Sequence, residues 1–171
     1  QQVLLSTNTC CFSGHRQIPS EQIPPLKVHL EKTLRLFIDH GYFHFCSGGA
    51  KGFDLLAART VLNLKPEFPS LSLHMILPFR RQAATWTIQE ILEYSDIVSQ
   101  ADTVQYVSQA YEPGCYNLRN RALVDNSTCC ICYLTNPKSG TGYTVSYAKE
   151  SGLTILNLAK YFSLQHSKSS P

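Results

Sequence analysis

Short β-type runs and amphipathic helical stretches alternate about six times along this 171-residue chain, and that alternation limits what it can fold into. A strand followed by a covering helix, repeated, builds a parallel sheet buried on both faces. The β-type runs are 9–12, 42–46, 71–77, 102–107, 129–134 and 154–158. Between the first two, Leu26, Leu30, Leu34, Phe37 and Ile38 recur every three or four residues, as on one helix face, and Gly41 suits the helix end. Further helices are predicted after the second run to about Leu64, over 84–100, over 116–126, and from the "SGTG" stretch to about Ser151. The two prolines of "KPEFPS" (65–70) forbid a continuing helix there. The expected fold is therefore α/β: a doubly wound, Rossmann-like, mostly parallel sheet of about six strands with helices on both faces. One domain over 1–162 is expected, followed by a polar tail, "SLQHSKSSP" (163–171), that hangs free.

Composition narrows the function classes. Fifteen Lys+Arg against 12 Asp+Glu leave a charge of +3, too small to argue for a nucleic-acid or anionic-membrane partner. No apolar run approaches the roughly 20 residues that cross a bilayer. The opening residues carry no signal-peptide pattern, so a cytoplasmic location is expected. Seven cysteines, with Cys10-Cys11 adjacent and Cys129, Cys130 and Cys132 in one apolar run, do not read as a disulfide framework. They read as small buried residues. No Cys-x-x-Cys pair suggests zinc, and no metal site is predicted.

In an open α/β sheet, ligands sit beyond the carboxyl ends of the strands. The unusual residues collect at those ends. Ser13-Gly14-His15-Arg16 follows the first run, and Ser47-Gly48-Gly49-Ala50-Lys51-Gly52-Phe53-Asp54 follows the second. Pro78-Phe79-Arg80-Arg81 follows the third, and Ser139-Gly140-Thr141-Gly142-Tyr143-Thr144 follows the fifth. Glycines at a strand-to-helix turn let an anion approach unpaired N–H groups at the positive end of the helix dipole. The hydroxyls of Ser47, Ser139, Thr141 and Thr144 are candidate donors to phosphate, and Arg16 a candidate clamp. The competing reading is that Gly48, Gly49 and Gly52 only make a tight turn. Asp54, in the first turn of its helix, is either an electrostatic cap or a ribose contact. Arg119 and Arg121, two residues apart, cannot share a helix face; Arg119 is a candidate to point toward the strand ends with Asn117 and Asn120 nearby, and the competing reading is that both arginines are solvated surface charges. Trp86 and Tyr143 are candidates for stacking on a base, with core or rim packing the equal alternative for each. The loop lacks both the Gly-Lys-[Ser/Thr] ending of a Walker loop and Gly-x-Gly-x-x-Gly spacing, which demotes NTPase and dehydrogenase readings.

Together "FSGHR", "SGGAKGFD", "ILPFRRQAATW" and "LRNRALVD…CYL…SGTGYTVSYA" resemble the SLOG superfamily of Rossmann-like nucleotide-ligand binders, nearest to its stand-alone YpsA-like branch. The similarity spans roughly residues 10–158. The resemblance implies a site of Ser13, Gly14, Arg16, Ser47, Gly48, Gly49, Gly52, Asp54, Pro78, Arg119, Ser139, Gly140, Thr141, Gly142 and Thr144. It implies a small phosphate-bearing ligand, a nucleotide or nucleotide derivative, and a sensor or regulatory role; a homo-oligomer would be compatible with it. Two related families supply alternatives. DprA-type recombination mediators, which bind single-stranded DNA, share the Ser-Gly-Gly-Ala-x-Gly-x-Asp loop. LOG-type phosphoribohydrolases carry an Arg where Arg119 stands, and Pro-Gly-Gly-x-Gly-Thr-x-x-Glu at the later loop. Here the expected Glu falls near Val145 or Ser146, neither of which can do acid or base work. An enzyme is therefore the weaker expectation.

Overall fold

The computed structural model describes residues 8–162, so the expected free tail at 163–171 lies outside the described residues. Six strands, β1 (Thr9–Gly14), β2 (His44–Ser47), β3 (Ser72–Leu77), β4 (Thr103–Tyr106), β5 (Cys129–Tyr133) and β6 (Thr154–Asn157), form one sheet in the order β4-β3-β2-β1-β5-β6. All five pairings are parallel. The helices are α1 (Ile23–Asp39), α2 (Phe53–Leu64), α3 (Ile88–Gln100), α4 (Cys115–Asp125) and α5 (Gly140–Glu150). This is the doubly wound α/β fold expected from the alternation.

Side-chain parity along the central strands divides the core in two. Cys10 and Phe12 of β1, with Phe45, Leu73, Met75, Cys129 and Ile131, face α1, α2 and α3. Cys11, Cys46, Ile76, Cys130 and Cys132 face Leu123 and Val124 of α4 and Val145 and Ala148 of α5. All seven cysteines are buried free thiols, six of them stacked across β2, β1 and β5, where a small apolar side chain lets the covering helices sit close. Burial pushes the thiols of Cys10 and Cys46 up, in keeping with a packing role.

Helix ends follow local chemistry. Gly41 (φ +86°) and Gly152 (φ +84°) adopt the left-handed backbone that closes α1 and α5. α3 begins at Ile88, four residues later than periodicity suggested. Thr87 and Glu90 form a reciprocal capping box, and residues 80–86 turn instead of continuing the helix.

The sheet order fixes where a ligand can go. From β1 the chain steps toward β4 through α1, α2 and α3 on one face; from β5 it steps to β6 through α5 on the other. The carboxyl ends of β1 and β5 are thus the topological switch point, where the outgoing loops part and leave a crevice.

Candidate phosphate and ribose site at the switch point

A cavity of about 250 Å³ opens at this crevice. It is built from four segments: the turn after β1, the β2–α2 turn, the start of α4 and the start of α5. Of the residues expected from sequence, Ser13, Gly14, Arg16, Asp54, Arg119, Ser139, Gly140 and Thr141 line it. His15, Ala50, Tyr116, Asn117 and Asn120 line it as well.

The remaining expected residues stand behind this wall. Ser47 is fully buried; its hydroxyl donates to the Asp54 carbonyl (3.0 Å) and accepts from the Gly49 N–H (3.2 Å). Gly49 (φ +68°) and Gly52 (φ +78°) supply left-handed backbone. A Cβ on Gly49 would meet Leu77 at 2.6 Å, and one on Gly52 the Arg16 carbonyl at 2.4 Å. A Cβ on Gly48 would strike the Arg119 side chain at 2.8 Å. These three glycines are therefore spent on packing the turn against its neighbours and do not line the cavity. Gly142 would place a Cβ 2.0 Å from the Pro137 carbonyl. Thr144 is buried and donates to the Gly140 carbonyl (3.0 Å). Pro78 is buried, with its carbonyl accepting from the Ser108 N–H.

Two buried charges face the cavity. Arg119 is 4% exposed; it donates through one terminal nitrogen to the Gly48 carbonyl and through Nε to Asn120 Oδ1 (2.7 Å). Burial lowers its pKa, and the Asp54 charge acts to raise it. Asp54 is 5% exposed; its Oδ2 accepts from the Ala50 N–H (3.3 Å), which ties the carboxyl to the loop. Among the described residues its Oδ1 has no hydrogen-bond partner. Burial pushes the Asp54 carboxyl up to about 6, against the opposing pull of Arg119, the Ala50 N–H, Arg16 and Gly14. A buried acceptor left without a donor is costly, and Asp54 is one of the residues lining the cavity.

The α5 end supplies the opposite polarity. Ser139 caps the helix, its Oγ accepting from the Gly142 N–H (3.0 Å) and donating to the Asn136 carbonyl (2.6 Å). Gly140 and Thr141, the first two helical residues, carry N–H groups that have no acceptor within the helix. A Cβ on Gly140 meets nothing within 4 Å, so the fold itself does not need glycine there. His15 Nε2 accepts from the N–H groups of Thr135 and Asn136 (2.9 and 3.3 Å) and so anchors the β5–α5 loop to the β1 turn. Burial lowers its pKa.

Trp86 and Tyr143 take the packing alternative. Trp86 packs edge-on against Tyr94, with Lys51 over its ring, away from the cavity. Tyr143 accepts from Arg121 (3.0 and 2.6 Å) on the outer surface. Sequence reasoning missed Tyr116. It lies three residues before Arg119, hence on the same helix face, and that spacing was the available signal. The Arg16 and Arg119 guanidiniums lie 5.5 and 5.8 Å from its ring centroid.

Known proteins bear on this arrangement. A family model described as the YspA SLOG family (YpsA) matches residues 12–156. UPF0398 proteins of Bacillus cereus strain G9842 and Bacillus thuringiensis strain Al Hakam are each 31% identical over 142 residues, covering 81% of this chain and 77% of theirs. Among solved structures, DNA processing protein A (DprA) of Helicobacter pylori, from a study of its single-stranded DNA binding mode, superposes with a TM-score of 0.63 at 17% identity, over 95% of this chain and 74% of that one. DprA of Streptococcus pneumoniae gives 0.61 at 14% identity over 86% of this chain, which spans about half (48%) of that longer protein. No described helix is long and apolar enough to cross a membrane. The chain belongs to the YpsA family of SLOG domains.

Proposed function

We propose that this protein binds a nucleotide or nucleotide-derived ligand at the switch-point cavity, as a sensor or regulatory domain. The observation that carries the reading is the pairing of two buried groups on one small cavity: Asp54 with an unpartnered carboxylate oxygen, and Arg119 with its guanidinium. A carboxylate repels a phosphate but accepts from a sugar hydroxyl. The phosphate therefore goes to the Gly140–Thr141 N–H groups, Arg16 and Arg119, and the ribose to Asp54. Such a ligand meets each buried polar group with its complement.

Binding rather than cleavage fits the rest of the site. Val145 is packed in the core between α5 and the sheet, and Ser146 is exposed, so neither position offers an ionisable group. Glu150 sits at the far end of α5.

Calorimetric titration with mononucleotides, ADP-ribose, cyclic dinucleotides and a short single-stranded DNA tests the reading. Saturable binding of at least one small nucleotide is expected, weakened in Gly140→Val, a change at a cavity-lining position where an added Cβ meets nothing within 4 Å. Heat only from the DNA, falling steeply with salt, would transfer the site to nucleic acid. Release of base or phosphate during the titration would make it a hydrolase.

A further inference from the structure

Next to the cavity, three rings from two loops and a helix start meet: Phe79 after β3, Tyr111 in the β4–α4 loop and Tyr116 in the first turn of α4. Phe79 lies edge-on to Tyr111 (5.8 Å, 78°) and to Tyr116 (6.0 Å, 73°), while Tyr111 and Tyr116 are tilted at 6.3 Å. Tyr116 lines the cavity, and Arg16 and Arg119 already cover its ring. Tyr111 is 61% exposed. Its loop is held in place: the Ser108 N–H bonds to the Pro78 carbonyl, the Cys115 N–H bonds to the Glu112 carbonyl, and Gly114 (φ +85°) turns the chain into α4. An exposed aromatic ring on an anchored loop, braced by two other rings, is a surface prepared for a flat partner.

Size points the same way. Sites that enclose a whole drug-sized ligand run to roughly 300–1,000 Å³. At about 250 Å³ the cavity falls below that range, a size that suits a sugar phosphate inside with the base beyond its mouth. With the ribose at Asp54 and the phosphate at the α5 end, the base leaves the cavity past Tyr116.

We propose that the Phe79–Tyr111–Tyr116 cluster is the base platform of this site, and that Tyr111 stacks on the base of a bound nucleotide. The protein then selects nucleotides over the sugar phosphates that share their ribose and phosphate. This rests on the nucleotide reading of the cavity. Every base has a π-face, so the platform recognises the presence of a base and not its identity. Stacking is worth ~1–3 kcal/mol per base, or roughly 5- to 150-fold in affinity.

The test compares AMP with ribose 5-phosphate by calorimetry on the full chain, using wild type, Tyr111→Ala and Tyr111→Phe. Tyr111 is exposed, so neither variant removes a core contact. AMP is expected to bind wild type about 5- to 150-fold more tightly than ribose 5-phosphate. Tyr111→Ala should abolish that advantage and leave ribose 5-phosphate affinity unchanged, and Tyr111→Phe should keep it. Equal affinity of the two compounds for wild type, or an AMP advantage that survives in Tyr111→Ala, overturns the platform while the phosphate–ribose site stands. Binding of neither compound overturns both.

Discussion

The guanidinium of Arg119 donates to the carbonyl of Gly48, a residue 71 positions earlier, and so joins the start of α4 to the turn that carries Asp54. Gly48 has room only for a hydrogen where this side chain crosses. The contact fixes a buried cation beside the cavity, with Nε committed to Asn120.

Arg119→Lys tests that fixation. Lysine keeps the charge but has no planar fork, so it cannot bridge Gly48 and Asn120 while also meeting a ligand. Nucleotide affinity should fall by tenfold or more, equivalent to about 1.4 kcal/mol. The melting temperature, measured alongside, should fall modestly because the Gly48 carbonyl loses its partner. Undiminished affinity would show that Arg119 only braces the turn.

Asp54 should give the stability curve a recognisable sign. Its folded-state pKa of about 6 lies above the ordinary carboxylate value of 3.8, so the folded protein holds this proton more tightly than the unfolded chain. Its contribution is fully present below pH 4 and is lost as pH rises through 6, by about 3 kcal/mol for a shift of this size. Denaturant unfolding of wild type and Asp54→Asn at pH 4 and pH 7.5 isolates the effect. Asp54→Asn should be the more stable protein at pH 7.5 and should gain little at pH 4, while losing nucleotide affinity at both. Identical pH profiles for the two proteins would mean that the carboxyl is solvated.

His74 should act in the opposite direction. Burial, and then neighbouring His44, push it down to about 4 from an ordinary 6.5. Its ring bonds to Thr103 Oγ1 (2.7 Å) and His44 Nδ1 (3.1 Å). The unfolded chain takes up this proton first, so stability is lost as pH falls from about 6.5 toward 4. His74→Gln should flatten that acid limb. An unchanged limb would assign acid sensitivity elsewhere, with His15 the next candidate.

Glycines that look alike in sequence should separate by experiment. Gly52→Ala and Gly142→Ala put a Cβ within 2.4 and 2.0 Å of backbone carbonyl oxygens, and should lower the melting temperature or prevent folding. Gly140→Ala meets open space and should leave the melting temperature unchanged. Thermal unfolding of the three variants decides this, and equal losses in all three would contradict the assignment.

Much of this was legible in the chain. Period-two and period-3.6 patterns locate six strands and five helices because each element buries one face or both, and the strand-end rule then points to the turns that line the cavity. Parallel pairing followed from the alternation, but the switch between β1 and β5 did not, since sheet order depends on which face each crossover helix covers. The roles of individual glycines were hidden for the same reason. The partner that excludes a side chain at Gly49 is Leu77, and at Gly142 it is the Pro137 carbonyl; neither contact has a local signature. The Phe79–Tyr111–Tyr116 cluster joins two loops whose proximity is set only by tertiary folding.

Amide chemical-shift mapping during an AMP titration tests the proposed site most directly, because it locates the ligand. The largest shifts are expected at Gly14, Ala50, Gly140 and Thr141, with the surface of α1 unaffected, and Gly140→Val should suppress them together. Shifts centred away from the carboxyl ends of β1 and β5, or no shifts at millimolar AMP, ADP-ribose and cyclic dinucleotide, would contradict nucleotide binding at the switch-point cavity.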